Sequence, residues 1–254
     1  MYGENPESVV YLCADTDTQF ILPKVRTDFN MRMRKKKNSD ARIERCAEFL
    51  VKTPEDLHGS GIYAPFPEKL HGLPVSLELG CGKGGFICEM AKAHPDRLFY
   101  AVERIDSVIL FALERRAAQM AESPELPDNV RFISGNAAAV GEWFPEGTLS
   151  DIYLNFSDPW PKKGYYKRRM TYREFLAVYA RVLAPGGELH VKTDNVTLFD
   201  FTLEEIAESP FSLIWQTRDL HNSEYADGNI MTEYERRFTE EGVPINALCA
   251  RNGK

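Results

Sequence analysis

A carboxylate, an indole and five cations fall within twelve residues: Asp158-Pro159-Trp160-Pro161-Lys162-Lys163, then Lys167-Arg168-Arg169. The carboxylate and aromatic ring suit the edge and face of a planar polar base, and the cations suit a phosphodiester backbone. The preceding Asp151-Ile152-Tyr153-Leu154 has the apolar pattern of a short buried strand. The loop therefore leaves a strand end, where open α/β sheets place their ligands.

A second chemical cluster is Glu78-Leu79-Gly80-Cys81-Gly82-Lys83-Gly84-Gly85. Gly80, Gly82 and Gly85 satisfy GxGxxG, a turn that brings backbone close to a ligand at a helix N-terminus. Dinucleotide enzymes and S-adenosylmethionine (AdoMet) enzymes share that pattern. Glu103, at the end of the next apolar run, is placed to accept ribose hydroxyls. Glu78 favours AdoMet, because a carboxylate there repels a pyrophosphate and attracts a sulfonium and an amino group. Asn136, in Ser134-Gly135-Asn136-Ala137, is a candidate for the adenine edge. Asp194 follows a fifth apolar run and belongs to the same carboxyl edge as Glu78 and Asp158; it also reads as a helix N-cap.

These residues need a scaffold of alternating elements. Strands are expected at Val75–Leu79, Leu98–Glu103, Val130–Ser134, Asp151–Asn155, Glu188–Lys192, Phe211–Gln216 and Ile245–Cys249. Helices are expected from the glycine turn to Ala93, and over Asp106–Met120, Thr171–Leu183, Asn195–Glu208 and Glu233–Thr239. Thr171 with Glu174, and Thr232 with Glu235, match capping boxes. A further helix, capped by Ser39, is expected through Val51, then a connector rich in Pro and Gly. The alternation implies a Rossmann-like α/β fold: seven strands, mostly parallel, with helices on both faces and an antiparallel edge. Residues 1–71 read as a basic N-terminal arm and helix, and 72–254 as the main domain.

At 254 residues and 43% hydrophobic, the chain can build one sizeable core plus an extension. The net charge of −7 excludes coating of nucleic acid by bulk charge. Two basic islands stand out instead: residues 24–37, with seven cations against one acid, and 162–169, with five and no acid. They point to a directed anionic partner. Five scattered cysteines without a CxxC pair fit a reducing compartment, and the histidines show no HxxxH or HExxH spacing, so no metal site is expected. No apolar run approaches a membrane span, and no signal-like start is present, so the cytoplasm is expected.

Taken in order, E-x-G-x-G-x-G from Glu78, the acid at 103, Phe156-Ser157-Asp158-Pro159-Trp160-Pro161-Lys162, Lys167-Arg168-Arg169, Lys192-Thr193-Asp194 and Thr232-Glu233-Tyr234-Glu235 resemble the bacterial tRNA (guanine-N7-)-methyltransferases of the TrmB type. The resemblance covers about residues 72–249. It implies a class I AdoMet-dependent methyltransferase that forms 7-methylguanosine at a variable-loop guanine of tRNA, acting as a monomer or homodimer. It also implies that Glu78, Gly80, Gly82, Gly84, Glu103, Asn136 and Asp158 serve the cofactor. Asp158 is the candidate catalytic residue, and Lys162, Asp194, Thr232, Glu233, Tyr234 and Glu235 serve the substrate. Arg32, Arg34, Lys35, Lys36, Lys37, Lys167, Arg168 and Arg169 are expected on the tRNA backbone. Asn136 departs from the aspartate common in the family, and Gly164-Tyr165-Tyr166 from a stretch often richer in Arg and His.

Guanine N7 carries an in-plane lone pair and no proton, so its attack on a methyl needs no general base. Positioning and stabilisation of the cationic product ring carry the acceleration. Three rivals remain at this stage: methylation of an exocyclic amine, an NAD-dependent oxidoreductase, and a non-enzymatic tRNA-binding protein. The first normally has a second proline before the aromatic, which Asp158-Pro159-Trp160 lacks. The second is disfavoured by Glu78 and by the lack of a catalytic His, Cys or Tyr-x-x-x-Lys pattern. The third is disfavoured by the complete set of Glu78, Glu103, Asp158 and Asp194.

Overall fold

The computed structural model describes residues 38–52, 54–58 and 61–253. The first basic island, with Arg32, Arg34, Lys35, Lys36 and Lys37, lies outside the described residues. Within them, eight strands form one sheet in the order β1-β4-β3-β2-β5-β6-β8-β7. They are β1 (Leu50–Val51), β2 (Val75–Leu79), β3 (Leu98–Glu103), β4 (Val130–Ser134), β5 (Leu149–Asn155), β6 (Leu183–Thr193), β7 (Phe211–Thr217) and β8 (Asn246–Asn252). All neighbours run parallel except β6 with β8 and β8 with β7. Chain order reverses between β2 and β5, so their carboxyl ends diverge and open the crevice that holds ligands in such sheets.

The strand residues are apolar on both faces because both are covered. Leu77, Leu79, Tyr100, Val102, Ile152 and Leu154 join one core, against α4 (Val140–Trp143), α5 (Arg173–Val182) and α6 (Val196–Ala207). Phe99, Ala101 and Phe132 join a second core, against α2 (Gly85–Ala93) and α3 (Asp106–Glu122). The period of two along each strand divides the residues this way. The chain before residue 72 feeds the same cores, through Phe49 on one face and Leu57, Ile62, Phe66 and Leu70 on the other.

Several expectations shift. Seven strands become eight because the helix expected through Val51 stops early. α1 covers only Ser39–Glu44, a 3-10 turn follows at Ala47–Phe49, and Leu50 and Val51 pair with Phe132 and Ile133 of β4. An open sheet edge beside two apolar residues is better satisfied by strand pairing than by another helical turn. Asn38, not Ser39, holds the N-cap position, and the Ser39 hydroxyl donates to Asp40. β6 begins at Leu183, five residues before its expected start, through an irregularity opposite Leu149 and Asp151 that accommodates Pro185-Gly186-Gly187.

The capping box expected at Thr171 and Glu174 does not form. Helix α5 starts at Arg173, and the Thr171 hydroxyl is buried against that of Thr202 at 2.8 Å. The cap comes from across the fold: buried Glu205 of α6 accepts from the Arg173 amide at 2.7 Å and from its guanidinium at 2.8 Å. A long-range carboxylate has replaced the local one, and it also fixes α5 against α6. Replacing Glu205 with Ala is expected to lower stability by about 1–2 kcal/mol, the usual loss for a helix cap. Urea unfolding of both proteins checks this, and an unchanged midpoint would refute it.

Candidate active site

The glycine turn connects β2 to α2. Gly80, Gly82 and Gly84 have φ of 79°, 56° and 72°, the left-handed region that side chains avoid. At Gly84 space is also limiting, since a Cβ there would come within 2.7 Å of the Ala112 side chain on α3. The amides of Gly80 and Cys81 both donate to the Val102 carbonyl, at 2.8 and 3.0 Å, which folds the turn onto the end of β3. Glu103 completes the junction: its carboxylate accepts from the Gly82 amide at 3.1 Å and the Ile105 amide at 2.9 Å. Asn136 stands beside it, because the Gly135 amide donates to the Glu103 carbonyl at 3.0 Å. Its side chain is exposed and accepts from the Ala138 amide at 3.1 Å, capping a short 3-10 turn.

Glu78 lies in β2 and is only 2% exposed. Its Oε1 accepts from Asn155 at the end of β5, at 3.0 Å, while Oε2 has no hydrogen-bond partner among the described residues. Burial is the main cause that pushes this carboxyl up to about 7; Asn155 and the Lys192 charge oppose it, and Glu103 adds to it. A buried carboxylate oxygen without a donor fits a cationic amino group, and the open glycine turn beside Glu103 fits a nucleoside. The carboxylates of Glu78 and Glu103 suit a cationic AdoMet better than a pyrophosphate.

Lys192 of β6 is the buried tie behind this edge. Its ammonium donates to Asn229 Oδ1 at 2.6 Å, the Ile230 carbonyl at 2.9 Å and Glu235 Oε2 at 3.0 Å, and lies 5.1 Å from the centre of the Phe86 ring. Desolvation lowers its pKa, and Glu235 and Glu78 work against that. Spacing alone marks neither Lys192 nor Asn155 as an active-site support; the partner of each lies on another strand or helix.

The tetrapeptide Thr232–Glu235 opens α7 (Glu233–Glu240) with a complete capping box. The Thr232 hydroxyl accepts from the Glu235 amide at 2.9 Å, and Glu235 Oε2 accepts from the Thr232 amide at 3.2 Å. Glu235 is fully buried, and its Oε1 accepts from Asn229 at 2.6 Å. Glu233 pairs with Arg115, whose Nε donates to the Lys83 carbonyl at 3.1 Å, so α7 is tied to the glycine turn. Tyr234 alone keeps its ring largely free, at 57% exposure, and it stacks on Phe156 at 6.3 Å.

The Phe156–Lys162 loop leaves β5 with the Phe156 amide bonded to the Lys192 carbonyl at 2.8 Å. Phe156 and Trp160 have φ of 53° and 42°, a left-handed conformation costing of order 1–2 kcal/mol for a side-chain-bearing residue. Arg169 offsets it: expected on the phosphate-facing tail, it is buried and donates to the carbonyls of Pro159 at 2.9 Å and Trp160 at 3.5 Å. Arg168 is exposed over the rings of Trp160 and Tyr165, at 5.0 and 4.6 Å. Asp158, Lys162 and Lys167 are exposed on the same loop and its tail. Asp194 does not cap α6; Asn195 does, accepting from the Leu198 amide at 2.8 Å. The Asp194 carboxyl stays half-buried, raised by desolvation.

Fold and site together define a class I AdoMet-dependent methyltransferase. The Methyltransf_4 methyltransferase family model matches residues 73–248. Solved structures share the fold at low identity: a 16S rRNA methyltransferase, KamB (TM-score 0.54, 18% identity, covering 74% of this chain and 92% of that one), and the antibiotic-resistance methyltransferase Kmr (0.51, 19%, 76% and 92%). Much more similar in sequence are the tRNA (guanine-N(7)-)-methyltransferases of Listeria innocua, 41% identical over 87% of this chain and 98% of the relative, and Geobacillus thermodenitrificans, 42% over 85% and 94%. The chain belongs to the tRNA (guanine-N(7)-)-methyltransferase family.

Two measurements follow from the geometry. If the AdoMet amino group pairs with ionised Glu78, affinity falls as pH drops through about 7, approaching tenfold per unit below it. Calorimetric titration from pH 6 to 8 is expected to show this dependence, and Glu78→Gln to weaken binding and flatten it. The ligand's own amino group titrates in both proteins, so the difference between curves isolates Glu78; superimposable curves would sink the assignment. Lys192→Met strands the Glu235 carboxylate in the interior and is expected to cost about 3–5 kcal/mol. Denaturant unfolding reads that loss, and a cost below about 1 kcal/mol would show that the pair supports little.

Proposed function

We infer that this chain transfers the methyl group of AdoMet to N7 of a guanine in the tRNA variable loop. The observation that carries this is the junction at the ends of β2, β5 and β6. There Glu78 keeps a buried carboxylate oxygen without a hydrogen-bond partner, suited to a cationic cofactor group, while Asp158 and Tyr234 are exposed and suited to the substrate. The similarity to tRNA (guanine-N(7)-)-methyltransferases along nearly their whole length supports the same substrate and position.

Bound AdoMet supplies an electrophilic methyl on a sulfonium. The protein's task is then to hold a guanine with N7 in line and to stabilise the charge the ring acquires. Asp158 accepts hydrogen bonds from the guanine N1 and N2 groups and places a negative charge beside the developing cation. No residue is needed as a base, since N7 has no proton to lose. Tyr234, backed by Phe156, stacks on the base once it has been displaced from its tertiary contact in the tRNA. Asp194 borders the same edge, and its partial desolvation strengthens any hydrogen bond it accepts.

Lys162, Lys167 and Arg168 engage phosphates, together with the basic residues 32–37, and add affinity without reading sequence. Thr232, Glu233 and Glu235 serve the substrate indirectly, by fixing the helix end that presents Tyr234. Among the described residues no helix is long and apolar enough to cross a membrane. A tRNA substrate supports a cytoplasmic location.

Incubation with labelled AdoMet and unmodified tRNA, followed by nucleoside mass spectrometry, is expected to yield 7-methylguanosine, and none from tRNA lacking the variable-loop guanine. A methylated adenine or cytosine would overturn the proposal. Asp158→Asn is expected to lower kcat by about a hundredfold or more, as for loss of one charge-stabilising group, with little change in AdoMet affinity. Arg168→Ala is expected to raise KM for tRNA and to reduce the slope of log affinity against log salt by about 0.7–0.9.

A further inference from the structure

Away from the carboxyl edge, three side chains from two antiparallel strands converge on one face of the sheet. Glu188 and His190 are alternate residues of β6, and Cys249 of β8 lies directly opposite His190. Their donor atoms all fall within 4.8 Å of one another. Glu188 Oε2 is 3.4 Å from Cys249 Sγ and 3.5 Å from His190 Nε2. The nitrogen-to-oxygen separation is at the outer limit of a hydrogen bond. It matches the donor-to-donor edge of a tetrahedral zinc site, about 3.3–3.6 Å for bonds of about 2.0 Å to nitrogen or oxygen and 2.3 Å to sulfur.

We propose that Glu188, His190 and Cys249 form a binding site for a divalent transition metal of the zinc class.

The surroundings are arranged as metal ligands require. Glu188 uses Oε1 for Arg251, at 2.8 Å, while Oε2 accepts from the Cys249 thiol, so a metal would take the place of that one proton. Asp151 repeats the pattern from β5. Its Oδ2 accepts from Ser76 at 2.9 Å and from Arg97, while Oδ1 lies 3.7 Å from His190 Nε2. Holding the second oxygen of a ligating carboxylate is the usual job of groups outside the coordination sphere. Tyr153 stacks on the imidazole at 4.9 Å with planes 15° apart, which fixes its direction.

The donor set of one thiolate, one imidazole and one carboxylate selects zinc-like ions over magnesium or calcium, which prefer oxygen alone. His190 and Glu188 are partly open to solvent, which leaves an entry path, while Cys249 is buried. On binding, the Cys249 proton leaves and one metal–sulfur bond forms, with no change of oxidation state. The bound ion would clamp β6 to β8. Expectations based on short-range spacing miss such a site, because its ligands come from strands about sixty residues apart.

Cobalt(II) titration of the chelator-treated full chain is the test. One equivalent is expected to produce near-ultraviolet thiolate-to-cobalt charge transfer with the intense visible bands of a four-coordinate ion, and zinc is expected to displace it. Cys249→Ser should abolish the charge-transfer band, and His190→Ala should weaken binding by at least about tenfold. Circular dichroism confirms that both variants are folded. Absence of the band in the wild-type chain overturns the proposal without any variant. So does a band that persists in Cys249→Ser, which would place the metal on another cysteine.

Discussion

The buried contact between Lys192 and Glu235 is the constraint on which the rest of the active edge depends. A lysine ammonium and a glutamate carboxylate removed from water gain little net stability, but each becomes costly without the other. Their geometry is therefore enforced, and it holds three elements together. Lys192 belongs to a central strand, Glu235 to the first turn of α7, and Asn229 to the loop between them. The carbonyl of Lys192 also anchors the first residue of the Phe156–Lys162 loop. One side chain and its backbone thus fix the surface that presents Tyr234 and the loop that carries Asp158.

The cofactor side follows a different electrostatic logic. Glu78 is surrounded by few donors, and its charge is favoured first by the Asn155 hydrogen bond and then, from a distance, by Lys192. In the free protein one carboxylate oxygen is unsatisfied, a shortfall that a cationic ligand would remove. Glu103 is the opposite case, its carboxylate already taken by one amide of the glycine turn and by that of Ile105, just beyond β3. It is held in an ordered position, as a group proposed to accept ribose hydroxyls requires.

Strain and stacking set the loop between these two sides. Two side-chain-bearing residues in the left-handed region cannot be held by local preference, since the extended or helical alternatives are lower in energy. Arg169 supplies the hold from below through two carbonyls, and Arg168 lies on the rings above. The two adjacent arginines look alike in sequence but are opposite in task, one internal brace and one exposed cation.

Much of this was readable from local chemistry. Alternating apolar runs determined the strands around β2, β3 and β4, the glycine spacing determined the turn, and Thr232 with Glu235 determined a helix start that forms as expected. These depend on neighbours within a few residues, so the chain specifies them wherever it is. Partner choice across the sheet is another matter. That Glu205 rather than Glu174 caps α5, that Asn195 rather than Asp194 caps α6, and that Glu235 is spent on Lys192 are outcomes of packing. The amino-acid order thus determined which groups are available for chemistry. Only the tertiary structure decided which are consumed in holding the edge together and which stay free to act, because a charge is released or engaged by what the fold brings within about 3 Å of it.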